Sequence, residues 1–242
     1  MDSWLLVSDV DDTLLGDDEA LRHLANRLAG AEHITTVWNS SRPCASLRAS
    51  LAENEALPTP DYLVGALGTE IEIRDTGERH TAYDEFLDKT WDRARVAEVM
   101  DGLGFTPHPP EYLTRFKLSY DIPGEQAYLK AKEALAEAGL KTHIIFSGGH
   151  NLDIIPEEAG KGRVVAYLHD WLGIPAERVI VAGDSGNDVD MFIAPYRGIV
   201  VGNASDALKQ MTEDHIYHAR AHQAEGVLEG LIYWKVLREK TE

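Results

Sequence analysis

Short apolar runs that stop abruptly at polar clusters set the rhythm of this chain. Trp4-Leu5-Leu6-Val7 is apolar throughout and gives way to Ser8-Asp9, the pattern of a strand covered on both faces. Leu21, Leu24 and Leu28 then recur at helical spacing behind Asp17, Asp18 and Glu19, carboxylates that suit a helix start. Ile34 to Trp38 predicts a second buried strand, and Ser40-Ser41-Arg42-Pro43 a second helix start. Asp61 to Leu67 predicts a third strand, with Gly68 to Ile73 either continuing it or forming the return arm of a hairpin. This β-α-β-α-β order predicts a parallel sheet with helices on both faces.

The pattern then changes. Residues 80 to 105 read as one helix, with Val96, Val99, Met100 and Leu103 on a stripe, broken by Pro107, Pro109 and Pro110. Phe116 to Ile122 alternates strictly, which predicts a half-exposed strand. An Ala-rich helix over 125–138 stops at Gly139, and two strands, Thr142 to Phe146 and His150 to Ile155, flank Gly148-Gly149. Alternating strands of this kind predict a small α+β layer inserted into the α/β unit. From Gly160 the buried style returns: a helix over 162–172, strands at Val179 to Ala182 and Gly198 to Val201, and a last helix with Val227, Leu228, Leu231 and Trp234 on one stripe. Trp4 and Trp234 are expected in the core. The fold class is therefore α/β, a Rossmann-like parallel sheet formed by 1–79 and 157–242, with 80–156 as an inserted α+β domain.

Composition narrows the function. The chain has 242 residues, enough for one large domain or a core with a satellite. Lys plus Arg number 23 against 41 Asp plus Glu, a formal charge of -18. That argues against a nucleic-acid partner or an anionic membrane surface, whose binders are net positive, and leaves open a small anionic substrate held by local cations. The single cysteine, Cys44, excludes an intrachain disulfide and fits a reducing compartment. No apolar run approaches the ~20 residues of a membrane span, and Met1-Asp2-Ser3-Trp4 lacks the basic start of a secretory leader. The expectation is a cytoplasmic monomer.

Three of the apolar strands end in polar clusters: Asp9-Val10-Asp11-Asp12-Thr13, Asn39-Ser40-Ser41-Arg42 and Gly183-Asp184-Ser185-Gly186-Asn187-Asp188. Ligands of open parallel sheets bind outside the carboxyl ends of the strands, so these clusters converge on one crevice. Several carboxylates in one small volume require a proton or a cation. Hard oxygen donors without Cys or His at ligand spacing point to Mg²⁺. The Ser40 hydroxyl and nearby backbone N–H groups suit phosphate oxygens, and Lys161, just after Gly160, adds a positive charge. Together these describe phosphoryl transfer, without the Gly-rich loop of a nucleotide-binding P-loop. Singly, each piece has a plainer reading: a solvated Asp turn or helix cap for Asp9 to Thr13, a cap for Ser40, a surface charge for Lys161, a simple turn for Asp184 to Asp188. Their coincidence at the same end of the strands favours the site. His108, His143 and His215 carry no spacing signal and read as surface or core.

Asp9-x-Asp11-x-Thr13, Ser40, Lys161 and Gly183-Asp184-x-x-x-Asp188 resemble the four-motif pattern of the haloacid dehalogenase-like phosphatases. That family places its C2 cap between the second and third motifs, where the insert lies. Longer stretches are similar to sucrose-phosphate phosphatases, among them Leu67-Gly68-Thr69-Glu70-Ile71, Lys117-Leu118-Ser119-Tyr120, Ser147-Gly148-Gly149, Leu152-Asp153-Ile154-Ile155-Pro156, Gly160-Lys161-Gly162 and Asn203-Ala204. The second motif departs from the usual Ala-Thr-Gly-Arg: Ser40 keeps the hydroxyl, whereas Ser41 lacks the freedom of glycine at positive φ.

The resemblance implies a Mg²⁺-dependent phosphatase acting through an aspartyl-phosphate. Asp9 is then the nucleophile and Asp11 the general acid and base. Ser40 and Lys161 bind phosphate, and Asp9, Asp11, Asp184 and Asp188 surround the metal. Lys117, His150, Asn151 and Asn187 contact substrate. On Phe116 to Ile122 the residues Lys117, Ser119 and Asp121 share a face that reads equally as a sugar-binding surface or a solvated one. The implied substrate is sucrose 6-phosphate. Mannosylfructose-phosphate or another sugar phosphate is the alternative, and a phosphomutase or a non-catalytic sugar-phosphate sensor are readings from other classes.

Overall fold

A computed structural model describes residues 3–74 and 76–239. Met1 and Asp2, half of the start read above as lacking a basic leader, lie outside the described residues, as do Asp75 and residues 240–242. The first half of the chain forms β1 (Trp4–Ser8), α1 (Asp18–Ala29), β2 (Ile34–Asn39), α2 (Cys44–Glu53), β3 (Tyr62–Gly65), β4 (Glu70–Ile73), α3 (Thr81–Asp88), α4 (Arg93–Leu103) and β5 (Thr106–Pro107). It continues with β6 (Leu118–Asp121), α5 (Glu125–Glu137), β7 (Thr142–Ser147), β8 (Asn151–Pro156), α6 (Lys161–Leu172), β9 (Val179–Gly183), β10 (Arg197–Val200), α7 (Asp206–Lys209), β11 (Ile216–His218) and α8 (Gln223–Tyr233).

Two sheets result. The larger runs β11-β10-β9-β1-β2-β3-β4, parallel except for β4, which returns antiparallel on β3. Gly68 to Ile73 is therefore the arm of a hairpin. The smaller sheet is antiparallel, in the order β5-β6-β8-β7. Leu5, Leu6 and Val7 are wholly buried because β1 sits in mid-sheet. Each contributes about 1.5–3 kcal/mol through removal from water. The order of strands turns at β1, whose neighbours are β2 and β9. Ser8 lies level with Trp38 and Ala182, so Asp9, Asn39 and Gly183 emerge side by side.

Helix α1 starts where the acidic cluster predicts, with the Asp17 side chain accepting from Glu19 N at 2.9 Å and Ala20 N at 3.1 Å. The expected single helix over 80–105 is instead two. Tyr83 and Leu87 of α3 pack into the larger core, whereas Val96 and Met100 of α4 pack into the smaller one. One straight helix cannot serve both cores, and Asp92 restarts the second by accepting from Arg95 N at 3.0 Å. The stretch 116–122 is not half-exposed either: Phe116 to Tyr120 are all buried. Leu118 and Tyr120 face the smaller core, and Lys117, on the opposite face, reaches the carbonyl oxygen of Ser41 at 3.2 Å. Trp4 and Trp234 are partly buried and pack against the larger core, as expected, with the Arg197 guanidinium 4.8 and 5.4 Å from their ring centres. The two connections between the sheets are tied together by Thr90 Oγ1 donating to Glu158 Oε2 at 2.6 Å. Among the described residues no helix is long and apolar enough to cross a membrane.

Candidate active site

The strand ends bring three carboxylates and one ammonium together. Asp9, directly after β1, is buried and held by its own N–H on Ala182 O at 2.9 Å. Lys161 opens α6, and its buried Nζ donates to Asp9 Oδ1 at 2.6 Å and to Asp188 Oδ1 at 2.7 Å. Asp188 sits in the 3-10 turn Gly186–Met191, where its other oxygen accepts from Ser185 N at 3.1 Å and Asp184 N at 3.2 Å. Asp184 accepts from Thr13 Oγ1 at 3.3 Å.

Asp9, Asp184 and Asp188 each offer an oxygen within 4.8 Å of the others. The Lys161 ammonium bonds two of these three carboxylates, Asp9 and Asp188. Burial, then the charges of Asp9 and Asp188, push the Asp184 carboxyl up to about 7. Burial alone would lower the Lys161 ammonium, but Asp9 and Asp188 outweigh it and hold the lysine charged, above its ordinary range. An all-oxygen donor set with surplus negative charge fits a hard divalent cation.

Asp11 stands outside that group. It is exposed, and its Oδ2 accepts from Arg42 Nε at 2.9 Å and from the Ser40 hydroxyl at 3.4 Å. Arg42 is in turn braced on α2 through Ser46 and Ser50, whose hydroxyls lie 3.4 and 2.9 Å from its Nη1. Ser40 is fully buried, its N–H on Val64 O at 2.9 Å. Ser41, which replaces the usual glycine, is not among the residues with positive φ, so that turn does not require glycine. Left-handed residues at the site are Asp12 at φ 59°, whose carbonyl accepts from Asn203 Nδ2 at 2.7 Å, and Ala66 and Leu67, whose N–H groups donate to the carbonyls of Arg42 and Ser40.

A crevice of about 230 Å³ lies between the two sheets, beside Arg42 and lined by Lys117, Asn151 and Asn187. Lys117 also lies 3.5 Å from Asp153 Oδ1, which accepts from Ser119 Oγ at 2.5 Å. Asn187 is fixed by Ser185 Oγ at 2.8 Å. His150 is not among the lining residues: it is exposed, with Nδ1 2.8 Å from Gly148 O. Sequence reasoning gave no role to Arg42, Thr13, His108 or Tyr112. The first two were visible as motif positions. The last two line the crevice from a short loop and from the 3-10 turn Pro110–Tyr112, both too short for any periodic signal.

A family model described as sucrose-6F-phosphate phosphohydrolase matches residues 2–235. This chain belongs to that family. It is a phosphoric monoester hydrolase that acts on sugar phosphates. It is 33% identical over 239 residues to a mannosylfructose-phosphate phosphatase from Agrobacterium fabrum, covering 95% of this chain and 96% of that one. It is 31% identical to a sucrose-phosphatase from Nicotiana tabacum, covering 94% of this chain and 58% of that longer protein. A Synechocystis sucrose-phosphatase, solved in complex with sucrose and phosphate, superposes with a TM-score of 0.87 at 29% identity, covering 97% of this chain and 99% of that one. A haloacid dehalogenase-like hydrolase from Bacillus subtilis, 18% identical with a TM-score of 0.74 and covering 97% of this chain and 92% of that one, shares the fold. As a sucrose-6F-phosphate phosphohydrolase family member, the chain is an enzyme, and the reading as a non-catalytic sensor falls away.

Proposed function

We propose that this chain hydrolyses sucrose 6-phosphate through a phosphorylated Asp9. The observation that carries the reading is the convergence of Lys161, Asp184 and Asp188 on Asp9 while Asp11 is held aside by Arg42. In the first step an Asp9 carboxylate oxygen bonds to phosphorus, the bond from phosphorus to the sugar oxygen breaks, and Asp11 gives its proton to that oxygen. In the second, water attacks phosphorus, Asp11 takes a proton from it, and phosphate leaves with Asp9 restored. Lys161 and the Ser40 hydroxyl neutralise and orient the phosphoryl oxygens, interactions that gain most as charge develops there. Asp9, Asp184 and Asp188 would hold Mg²⁺, which supplies further positive charge at the phosphoryl group.

The smaller sheet, with the connections on either side of it, acts as the cap that reads the sugar. Lys117, Asn151 and Asn187 face the crevice and suit sugar hydroxyls. Mannosylfructose-phosphate is the second reading, favoured by the 33% identity that spans both chains almost fully.

The test is phosphate release with Mg²⁺ from sucrose 6-phosphate, mannosylfructose-phosphate and a set of hexose phosphates. Highest kcat/KM on sucrose 6-phosphate is expected. Faster turnover of mannosylfructose-phosphate moves the assignment to the second reading, and no preference for disaccharides overturns both. Release of free phosphate without any bisphosphate requirement separates hydrolysis from a phosphomutase.

A further inference from the structure

Asn39 is the last residue of β2, directly before Ser40, and is fully buried. Its Nδ2 donates to the carbonyl oxygen of Lys161 at 3.1 Å and lies 3.4 Å from the sulfur of Met191. Lys161 is the first residue of α6, and Met191 closes the 3-10 turn that carries Asp188. One amide therefore touches the two elements whose side chains meet at the Lys161 ammonium.

The bond is not needed to complete the helix. In a helical ladder the Lys161 carbonyl already faces the N–H four residues on. The amide instead fixes where the helix begins relative to the sheet. It does so at a cost, because Asn39 Oδ1 is buried with no hydrogen-bond partner among the described residues. Buried polar atoms are ordinarily satisfied, and one left unpaired disfavours the fold. An apolar side chain would fill the same place without that penalty.

We propose that Asn39 is a positioning residue. Its amide holds the first turn of α6 against the end of β2, and so keeps the Lys161 ammonium in its place between Asp9 and Asp188. The proposal rests on the reading of Lys161 as the group that neutralises the transferring phosphoryl oxygens. Asn39 acts through Lys161 on the transition state, so its loss lowers kcat and leaves KM nearly unchanged.

Asn39→Ala and the nearly isosteric Asn39→Leu are to be assayed for phosphate release at saturating Mg²⁺, with thermal midpoints, and Asn39→Ala also in a Lys161→Gln background read with excess enzyme. Misplacement of a catalytic group by ~1 Å can cost ~100-fold, so a loss of about tenfold or more in kcat is expected, with KM within about twofold. The midpoint stays within a few degrees of the wild type. In the Lys161→Gln background the same substitution adds no further loss, as coupled residues require. Wild-type kcat in a folded Asn39 variant overturns the proposal, and so does an equal fold-loss in both backgrounds. Failure of both variants to fold makes Asn39 structural alone and overturns it too. Undiminished turnover in Lys161→Gln is a separate result: it removes the reading of the site, and this proposal with it.

Discussion

Lys161 and Asp9 are 152 residues apart in sequence and 2.6 Å apart in space. Both side chains are almost fully shielded, at 1% and 7% exposure. Removing one partner of such a pair leaves an uncompensated buried charge, at a cost of about 3–5 kcal/mol. Here Asp188 remains as a second partner for the lysine, so Asp9→Asn is expected to fold. It is also expected to release no phosphate, because an amide cannot serve as the nucleophile. Near-native circular dichroism with no turnover is the predicted pair of results; undiminished turnover contradicts nucleophilic Asp9.

Asp184 ties stability to pH and metal. Its carboxyl titrates at about 7 in the fold and near ~3.9 in an unfolded chain. The folded state keeps a proton that the unfolded state loses over that interval. The stabilisation from this group is therefore complete below about pH 4 and lost as pH climbs through about 7. The thermal midpoint of chelated protein should fall between about pH 5 and pH 8, and Mg²⁺ should raise it again at the upper end. Asp184→Asn should flatten both responses. A wild-type midpoint that ignores Mg²⁺ at pH 8, or full activity in excess EDTA, removes the metal assignment.

Asp11 and Arg42 separate the acid from its brace. Asp11→Asn should lower kcat by about 10²–10⁴, the usual scale of general acid–base catalysis. Arg42→Gln keeps Asp11 but removes its guanidinium partner and the link to Ser46 and Ser50. A smaller fall than for Asp11→Asn is expected. Steady-state kinetics of both variants decide it, and a larger loss in Arg42→Gln would make the arginine the principal group.

Two glycines predict opposite outcomes. A Cβ on Gly162 would lie 1.9 Å from Asp190 O, a backbone atom that cannot swing away, whereas a Cβ on Gly102 in α4 meets nothing within 4 Å. Gly162→Ala should displace the start of α6, lowering the thermal midpoint and activity together. Gly102→Ala should be neutral or stabilise by up to about 1 kcal/mol through helix propensity. Thermal melts of both variants check the contrast.

The buried strands were legible because a strand covered on both faces leaves a continuous apolar run, as at Trp4 to Val7. The carboxylates were legible because they follow such runs directly. What the sequence withheld is whatever depends on a second surface. Leu87 and Val96, nine residues apart, would point to opposite sides of one continuous helix. That phase break fits their separate cores, but the stripe from Val96 to Leu103, taken alone, does not show it. The alternation at Lys117 and Ser119 marks a polar face, but only the packed fold shows it covered. Strand β11, three residues long, is too short for any period. The orphaned oxygen of Asn39 belongs to no pattern at all.

The hydrogen bond from Thr90 to Glu158 has a modular consequence. It pins the outgoing and returning chain together where they leave and rejoin the larger unit, and the bond from Lys117 to Ser41 adds a second tie at the crevice. On the proposed division of labour, the stretch between Thr90 and Glu158 is a detachable cartridge for sugar choice. Grafting it from a relative with a different disaccharide preference should carry that preference across and leave the phosphate chemistry behind.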